Sequence, residues 1–235
     1  MLADRVRIGS GSKRDDPSGS PGERNLIAGN MDAGFFGEVS ASDLITGDDL
    51  ASMVRISSGI SQFSNEGWLK FAYQGNIQFV AKKPIRNSIS WNNINSANCV
   101  YGDRTIDVGG LTYKVRLMRG ANKDPAGERR GTLNHGSEWN KLMLPVHIQA
   151  KNKSWGVPEN VETDVPYWGI DFTDEDLGTD NYFRGRQSWC QEVAQSSTYR
   201  LVRGGSSGGV SFSMGHGSSQ SLAAYSFRPV LELVL

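Results

Sequence analysis

The chain has 235 residues, enough to bury a sizeable core, and its 25 Lys+Arg balance its 25 Asp+Glu. That balance excludes a general nucleic-acid binder, which needs a basic surplus, and 37% hydrophobic residues argue against disorder throughout. Twenty-eight glycines, well above the usual ~7% of residues, and six tryptophans predict short elements joined by many turns.

No apolar run reaches the ~18 residues of a membrane-spanning helix, so no membrane insertion is expected. Met1-Leu2-Ala3-Asp4-Arg5 has no apolar stretch behind it and does not read as a signal peptide. Synthesis in a cytosol, with exit by lysis or assembly, follows. Cys99 and Cys190 form neither a C-x-x-C pair nor a zinc spacing, so two reduced, buried thiols are expected.

Residues 1–30 are poor in apolar side chains and rich in Gly, Ser and charge, as in Ser18-Gly19-Ser20-Pro21-Gly22. Such a segment gains order by lying on another surface, so an extended anchoring arm docked on a partner is expected. Residues 31–65 read as a short helical collar or linker. Thr46 supplies its N-cap with Asp49 three residues on, and Leu50, Met53 and Val54 fall on one face.

From residue 66 the pattern changes to strands. Trp68, Phe71 and Tyr73, then Ile77, Phe79 and Val80, flank Gln74-Gly75-Asn76 and predict a hairpin. Ser90 caps a helix over Trp91 to Ala97, with Trp91, Ile94 and Asn95 inward. Gly109-Gly110 turns a second hairpin between Thr105–Val108 and Leu111–Leu117. Ser137 caps a further helix with Trp139, Leu142 and Met143 as its buried stripe, stopped by Pro145. Residues 148–188 show no clear periodicity, and a stretch that long with little secondary structure is usually functional. Tyr199–Arg203, Val210–Ser213 and Phe227–Val234 close the sequence as strands.

These elements predict an α+β fold. Several blocks then carry a resemblance: Gly67-Trp68-Leu69-Lys70-Phe71, Lys82-Lys83-Pro84-Ile85-Arg86, Ile89-Ser90-Trp91, Gly136-Ser137-Glu138-Trp139-Asn140, Ser188-Trp189-Cys190-Gln191-Glu192, Arg200-Leu201-Val202-Arg203-Gly204 and Phe227-Arg228-Pro229-Val230-Leu231-Glu232. The set resembles the C-type-lectin-like domains of bacteriophage virion proteins, including the sulfatase-modifying-factor-like branch and the tropism-determining variable proteins. The resemblance implies a C-type-lectin-like domain over residues 66–235, with two short helices on small antiparallel sheets and long loops to one side. It implies a tail-fibre or minor structural protein on the virion, held to other virion proteins through residues 1–65. The loops of 148–225 would attach it to a host-surface glycan or protein. A homo-oligomer is expected, with a trimer as one arrangement. A decoration or cement protein is the second reading, and an enzyme related to formylglycine-generating enzymes the third. The third lacks the close cysteine pair of those enzymes, so no catalytic residue is assigned.

The candidate ligand-binding residues are Trp155, Tyr167, Trp168 and Tyr182 in the aromatic loop, and His216, Ser218, Ser219, Gln220 and Tyr225 in the Gly/Ser-rich stretch. Rigid aromatic rings stack on sugars or fill protein hot spots, and small polar residues adapt to a partner. The competing reading makes Trp155, Trp168 and Trp189 core plugs. Asp171, Asp174, Glu175, Asp176 and Asp180 are oxygen donors without an EF-hand spacing. His135, His147 and His216 are scattered, so no metal and no cofactor is expected. Glu138, Glu192 and Asp171 are the carboxylates a glycosidase would have to pair. The basic pairs Lys82-Lys83, Arg129-Arg130 and Lys151 with Lys153 are too dispersed for a nucleic-acid stripe.

Overall fold

The computed structural model describes residues 16–126, 135–153, 155, 164–182 and 184–235. Residues 1–15 of the expected arm, the Arg129-Arg130 pair and part of the aromatic loop lie outside the described residues.

Two sheets and four short helices make an α+β architecture among the described residues. The strands are β1 (Ala28–Gly29), β2 (Ala33–Val39), β3 (Ile60–Ser61), β4 (Trp68–Tyr73), β5 (Asn76–Ala81), β6 (Arg86–Asn87), β7 (Tyr101–Val108), β8 (Leu111–Arg116), β9 (Gln187–Val193), β10 (Tyr199–Arg203), β11 (Ser213–Gly217), β12 (Tyr225–Phe227) and β13 (Val230–Leu233). The helices are α1 (Gly47–Met53), α2 (Trp91–Ser96), α3 (Glu138–Leu142) and α4 (Gln149–Asn152). A seven-stranded antiparallel sheet runs β1-β2-β4-β5-β13-β8-β7. A six-stranded sheet runs β11-β10-β9-β12-β6-β3, with β12 and β9 parallel.

Local chemistry accounts for the element ends. Thr46, Ser90 and Ser137 each accept from the backbone N–H three residues on, and Ser90 with Asn93 completes a reciprocal cap. Gln74 at φ 49° and Gly75 at φ 83° make the first hairpin turn, and Gly109-Gly110 the second, all in the left-handed region that such turns require.

The seven-stranded sheet is covered on both faces. Along β4, Trp68 and Ala72 join one apolar cluster while Leu69, Phe71 and Tyr73 join another, the alternation expected of a pleated strand. The first cluster takes in Leu50 and Val54 of α1, Trp91 and Ile94 of α2, and Trp189, Val202 and Phe227 of the second sheet. The second takes in Trp139, Leu142 and Met143 beside Trp155, Tyr167, Trp168 and Phe172. Four buried indoles act as cross-braces: Trp68 donates to the Ile45 carbonyl, Trp91 to Cys190, Trp139 to Val210 and Trp189 to Ile89, at 2.8–3.0 Å. Each satisfies a buried N–H with an acceptor from a distant segment.

Residues 16–65 pack on these same clusters. Leu26, Phe36, Leu44, Leu50 and Val54 belong to the first cluster, and β2 pairs directly with β4 across the expected boundary at 66. Asp16 lies buried against Lys70 of β4 at 2.7 Å. Burial pushes the Asp16 carboxyl up, but hydrogen bonds from Lys70, Ser18 and Ser20 together outweigh it and hold it at about 2.

Three local expectations change. Asn95 is exposed, because only Trp91 and Ile94 of α2 face inward. The Val210–Ser213 strand begins at Ser213. Ser206–Ser211 form a 3-10 turn whose Gly209 sits at φ 50°, and the Val210 backbone groups bond the Asp174 carboxylate and the Trp139 indole. The strand expected over Phe227–Val234 breaks at Arg228-Pro229 into β12 and β13, one in each sheet. Proline cannot donate to a ladder.

Candidate binding site

The structure separates the expected ligand residues into two groups. Trp155, Tyr167 and Trp168 pack on the second cluster, whereas Tyr225 belongs to the first. Trp155 is 8% exposed and tilted against the His147 ring at 6.3 Å. Tyr182 is 94% exposed and packs on neither cluster.

Trp168 has company suited to a ligand. A recess of about 390 Å³ is lined by Gly29, Asn30, Asp32 and Ala33 at the β1–β2 turn, Asn140 and Lys141 of α3, and Asp164 to Pro166 with Trp168. Each wall has a local cause. The Asn30 side chain accepts from the Asp32 and Ala33 N–H groups at 2.8 and 3.2 Å, an Asx turn that fixes the tip. Gly29 at φ 77° has no room for a side chain, since a Cβ would stand 2.3 Å from the Ala33 carbonyl. The Ser137 cap orients α3. The Trp168 backbone N–H donates to the Pro145 carbonyl at 3.0 Å, and its ring lies half-buried beside Phe71.

The lining combines the half-buried Trp168 indole with two carboxylates, one ammonium and two amides. Asn140 is fully buried: its Oδ1 accepts from Arg203 at 2.6 Å, while its Nδ2 has no hydrogen-bond partner among the described residues. Lys141 Nζ stands 4.0 Å from Asp32 Oδ2, a separation that leaves both largely to solvent or a ligand. An aromatic surface beside convergent donors and acceptors is what a pyranose ring asks for: its C–H face stacks and its hydroxyls hydrogen-bond.

The second group forms an internal network. Tyr225 Oη lies 2.8 Å from His216 Nδ1 and 3.4 Å from Gln220 Oε1, and its buried ring packs on Trp189 at 5.0 Å. Ser218 bridges two elements through its backbone, donating to Thr198 and accepting from Asn92. Ser219 and Gln220 are the exposed members. Tyr225 therefore positions this loop.

The acidic loop spends its carboxylates on its own turns. Asp174 Oδ1 accepts from Val210 N and Thr179 Oγ1, both at 2.6 Å, and lies 3.5 Å from His147 Nε2. Burial raises its pKa, but these partners outweigh burial and hold it below the ordinary carboxylate value. Asp176 caps Thr173, and Asp171 accepts from the Tyr167 hydroxyl. Among the described residues no three metal-ligating side chains gather.

Both thiols are free and buried, and burial pushes Cys99 up to about 12 and Cys190 well above its ordinary value. A thiol in that state is a poor nucleophile. Glu138 is enclosed and saturated by Arg116, Gln78 and the Arg119 N–H. Among the described residues no helix is long and apolar enough to cross a membrane.

Asp32, Asn140, Lys141 and Asp164 were not marked by the sequence. The one local signal was α3 itself, whose buried Trp139 stripe fixes where Asn140 and Lys141 sit. Comparison with known proteins gave no matching family model, no similar curated protein and no similar solved structure.

Proposed function

We propose that this chain is a bacteriophage virion component whose C-type-lectin-like domain attaches the particle to a host surface by binding glycan in the recess beside Trp168. The observation that carries this reading is the half-buried indole facing Asn140, Lys141, Asp32 and Asp164 in one recess. The two sheets and short helices support the lectin-like assignment, as do the sequence blocks that resemble phage virion domains. Residues 1–65 would hold the chain to other virion proteins through whatever surface residues 16–65 leave outside the core. A single shallow recess binds weakly, and many copies on a particle would raise avidity.

The test is binding of the full chain to host cells and to a glycan microarray, in multivalent form, with wild type and W168A. We expect saturable binding to sensitive cells, blocking of infection, and a loss of about tenfold or more in W168A, since a stacked aromatic at a hot spot is worth ~2 kcal/mol or more. K141A, altered at a half-buried position whose ammonium makes only long contacts to Asp32 and the Tyr73 ring, should weaken binding with little change in the melting temperature. Equal binding by all three proteins overturns the recess. No cell binding in any form favours a decoration protein that cements neighbouring subunits.

A further inference from the structure

A second recess, of about 330 Å³, shares no residue with the first. It is lined by Tyr101 of β7, Arg119 to Asp124 without Gly120, and Gln191 and Glu192 of β9. Its charges are unequally committed. Glu192, 3% exposed, accepts from the Gly120 N–H at 3.0 Å and also from the Ala121 and its own N–H. Asp124 Oδ1 accepts from the Val193 N–H at 2.8 Å. Both carboxylates accept from backbone donors, Glu192 enclosed and Asp124 exposed. Arg119 and Lys123 are exposed, and neither side chain has an ion-pair or hydrogen-bond partner among the described residues.

The loop that carries them is firmly held. The Gly120 peptide is clamped at both ends, its N–H by Glu192 and its carbonyl by Arg203 at 2.8 Å. Gly120 also presses so closely on Cys190, Leu201 and Arg203 that a Cβ would lie 2.7–3.0 Å from them. Two uncommitted cations are therefore presented from a fixed backbone, next to a Tyr101 ring that is 48% exposed. Asn122 and Gln191 add amide groups. The volume is at the small end of ligand sites, ~300–1,000 Å³.

We propose that this recess binds one anionic sugar unit, a sugar acid or sugar phosphate, with Arg119 and Lys123 pairing its charge and Tyr101 stacking on its ring. The pair of cations supplies charge-assisted hydrogen bonds, and the aromatic wall supplies the contact that free inorganic anions lack. The proposal stands apart from the Trp168 recess and would survive its failure.

Glu192 gives the site a second readout. Burial pushes its carboxyl up, against the three N–H bonds, to about 7. Asp124, Arg119 and Lys123 from the loop, Tyr101 from β7, Cys190 and Gln191 from β9, and Arg200 and Arg203 from β10 are the described groups around it. Below that value Glu192 is neutral and no longer repels an anion.

The experiment titrates the full chain with D-glucuronate, with glucose 6-phosphate and with neutral glucose by ligand-observed NMR at pH 6 and pH 8. We expect saturable binding of one or both anionic sugars, none of glucose, and tighter binding of glucuronate at pH 6, the pH comparison being read on glucuronate because a sugar phosphate itself loses charge near pH 6. R119A/K123A, changed only at exposed positions, should lose about tenfold or more in affinity with an unchanged melting temperature. E192Q should hold at pH 8 the affinity that wild type has at pH 6. Glucuronate alone binding identifies the carboxylate, and glucose 6-phosphate alone the phosphate. The proposal is overturned if neither binds, if glucose binds as well, or if R119A/K123A binds like wild type.

Discussion

The seven-stranded sheet buries its charges in pairs, and the six-stranded sheet buries charges without an opposite number. On β4 Lys70 meets Asp16, and on β8 Arg116 meets Glu138 and Glu232, each at 2.7 Å. Burial opposes the Arg116 charge, but the two glutamates more than offset it and raise its pKa, while Glu138 is lowered in return. Among the described residues, Glu192 on β9 has only backbone N–H groups. Just beyond β12, Arg228 donates to the carbonyls of Ala81, Lys82 and Leu177 and to Ser188 Oγ, with no carboxylate among the described residues beside it. Burial lowers its pKa, and four oxygens keep it protonated. A formal pair neutralises a charge and depends on both partners. A cage of dipoles accepts the desolvation cost in exchange for locking several backbone segments to one side chain.

The largest effect should come from breaking a pair. R116M leaves Glu138 charged and fully enclosed, so it should lose about 3–5 kcal/mol in denaturant unfolding. A loss under 1 kcal/mol would mean that Gln78 and the Arg119 N–H suffice. The unpaired carboxylate comes next, with the opposite sign. Glu192 is raised from 4.5 to about 7 in the folded state, so the folded protein binds the extra proton. Stability is then highest below pH 4.5 for this group and falls as pH rises through 7, by roughly 3 kcal/mol in total. E192Q should flatten that decline between pH 5 and pH 8. A parallel pH–stability curve in the variant would refute the assignment. Asp16 gives the smallest effect. Its pKa falls from 3.8 to about 2 on folding, so it stabilises above pH 4 and that contribution, about 2 kcal/mol, disappears as pH drops through 2. D16N should be less stable than wild type at pH 6 and equal to it near pH 1.5, read from thermal melts.

Paired and unpaired regions also differ in what the sequence discloses. The helix caps Thr46, Ser90 and Ser137, and the hairpins at Gln74-Gly75 and Gly109-Gly110, follow from residues a few positions apart, and the structure keeps them. The break at Arg228-Pro229 was harder to see, because Phe227 to Val234 is almost wholly apolar and the reason for the break, an arginine drawn into carbonyls of Ala81, Lys82 and Leu177, is contributed by distant segments. Val210–Ser213 alternates as a strand should, but the Trp139 indole and the Asp174 carboxylate take its backbone groups. The Trp168 recess draws on residues 29–33, 140–141 and 164–168. The aromatic ring was visible in the sequence. Its polar neighbours depend on how β2 and α3 pack, which no short spacing encodes. His216 and Tyr225 do meet as neighbours, yet they meet inward, a direction that composition alone does not reveal.

The placement of β13 sets an order of events during synthesis. It follows every other described strand in chain order, yet it lies between β5 and β8 in the middle of the seven-stranded sheet. Until residues 230–233 have left the ribosome, the β1-β2-β4-β5 half and the β8-β7 half each expose an unpaired edge with no shared partner. The long-range contacts that join them form late, when a growing chain is most open to pairing with a neighbour. A nonsense codon or frameshift even a few codons before Val230 would thus release two half-sheets with sticky edges, and such products should be found in inclusion bodies or degraded by quality-control proteases.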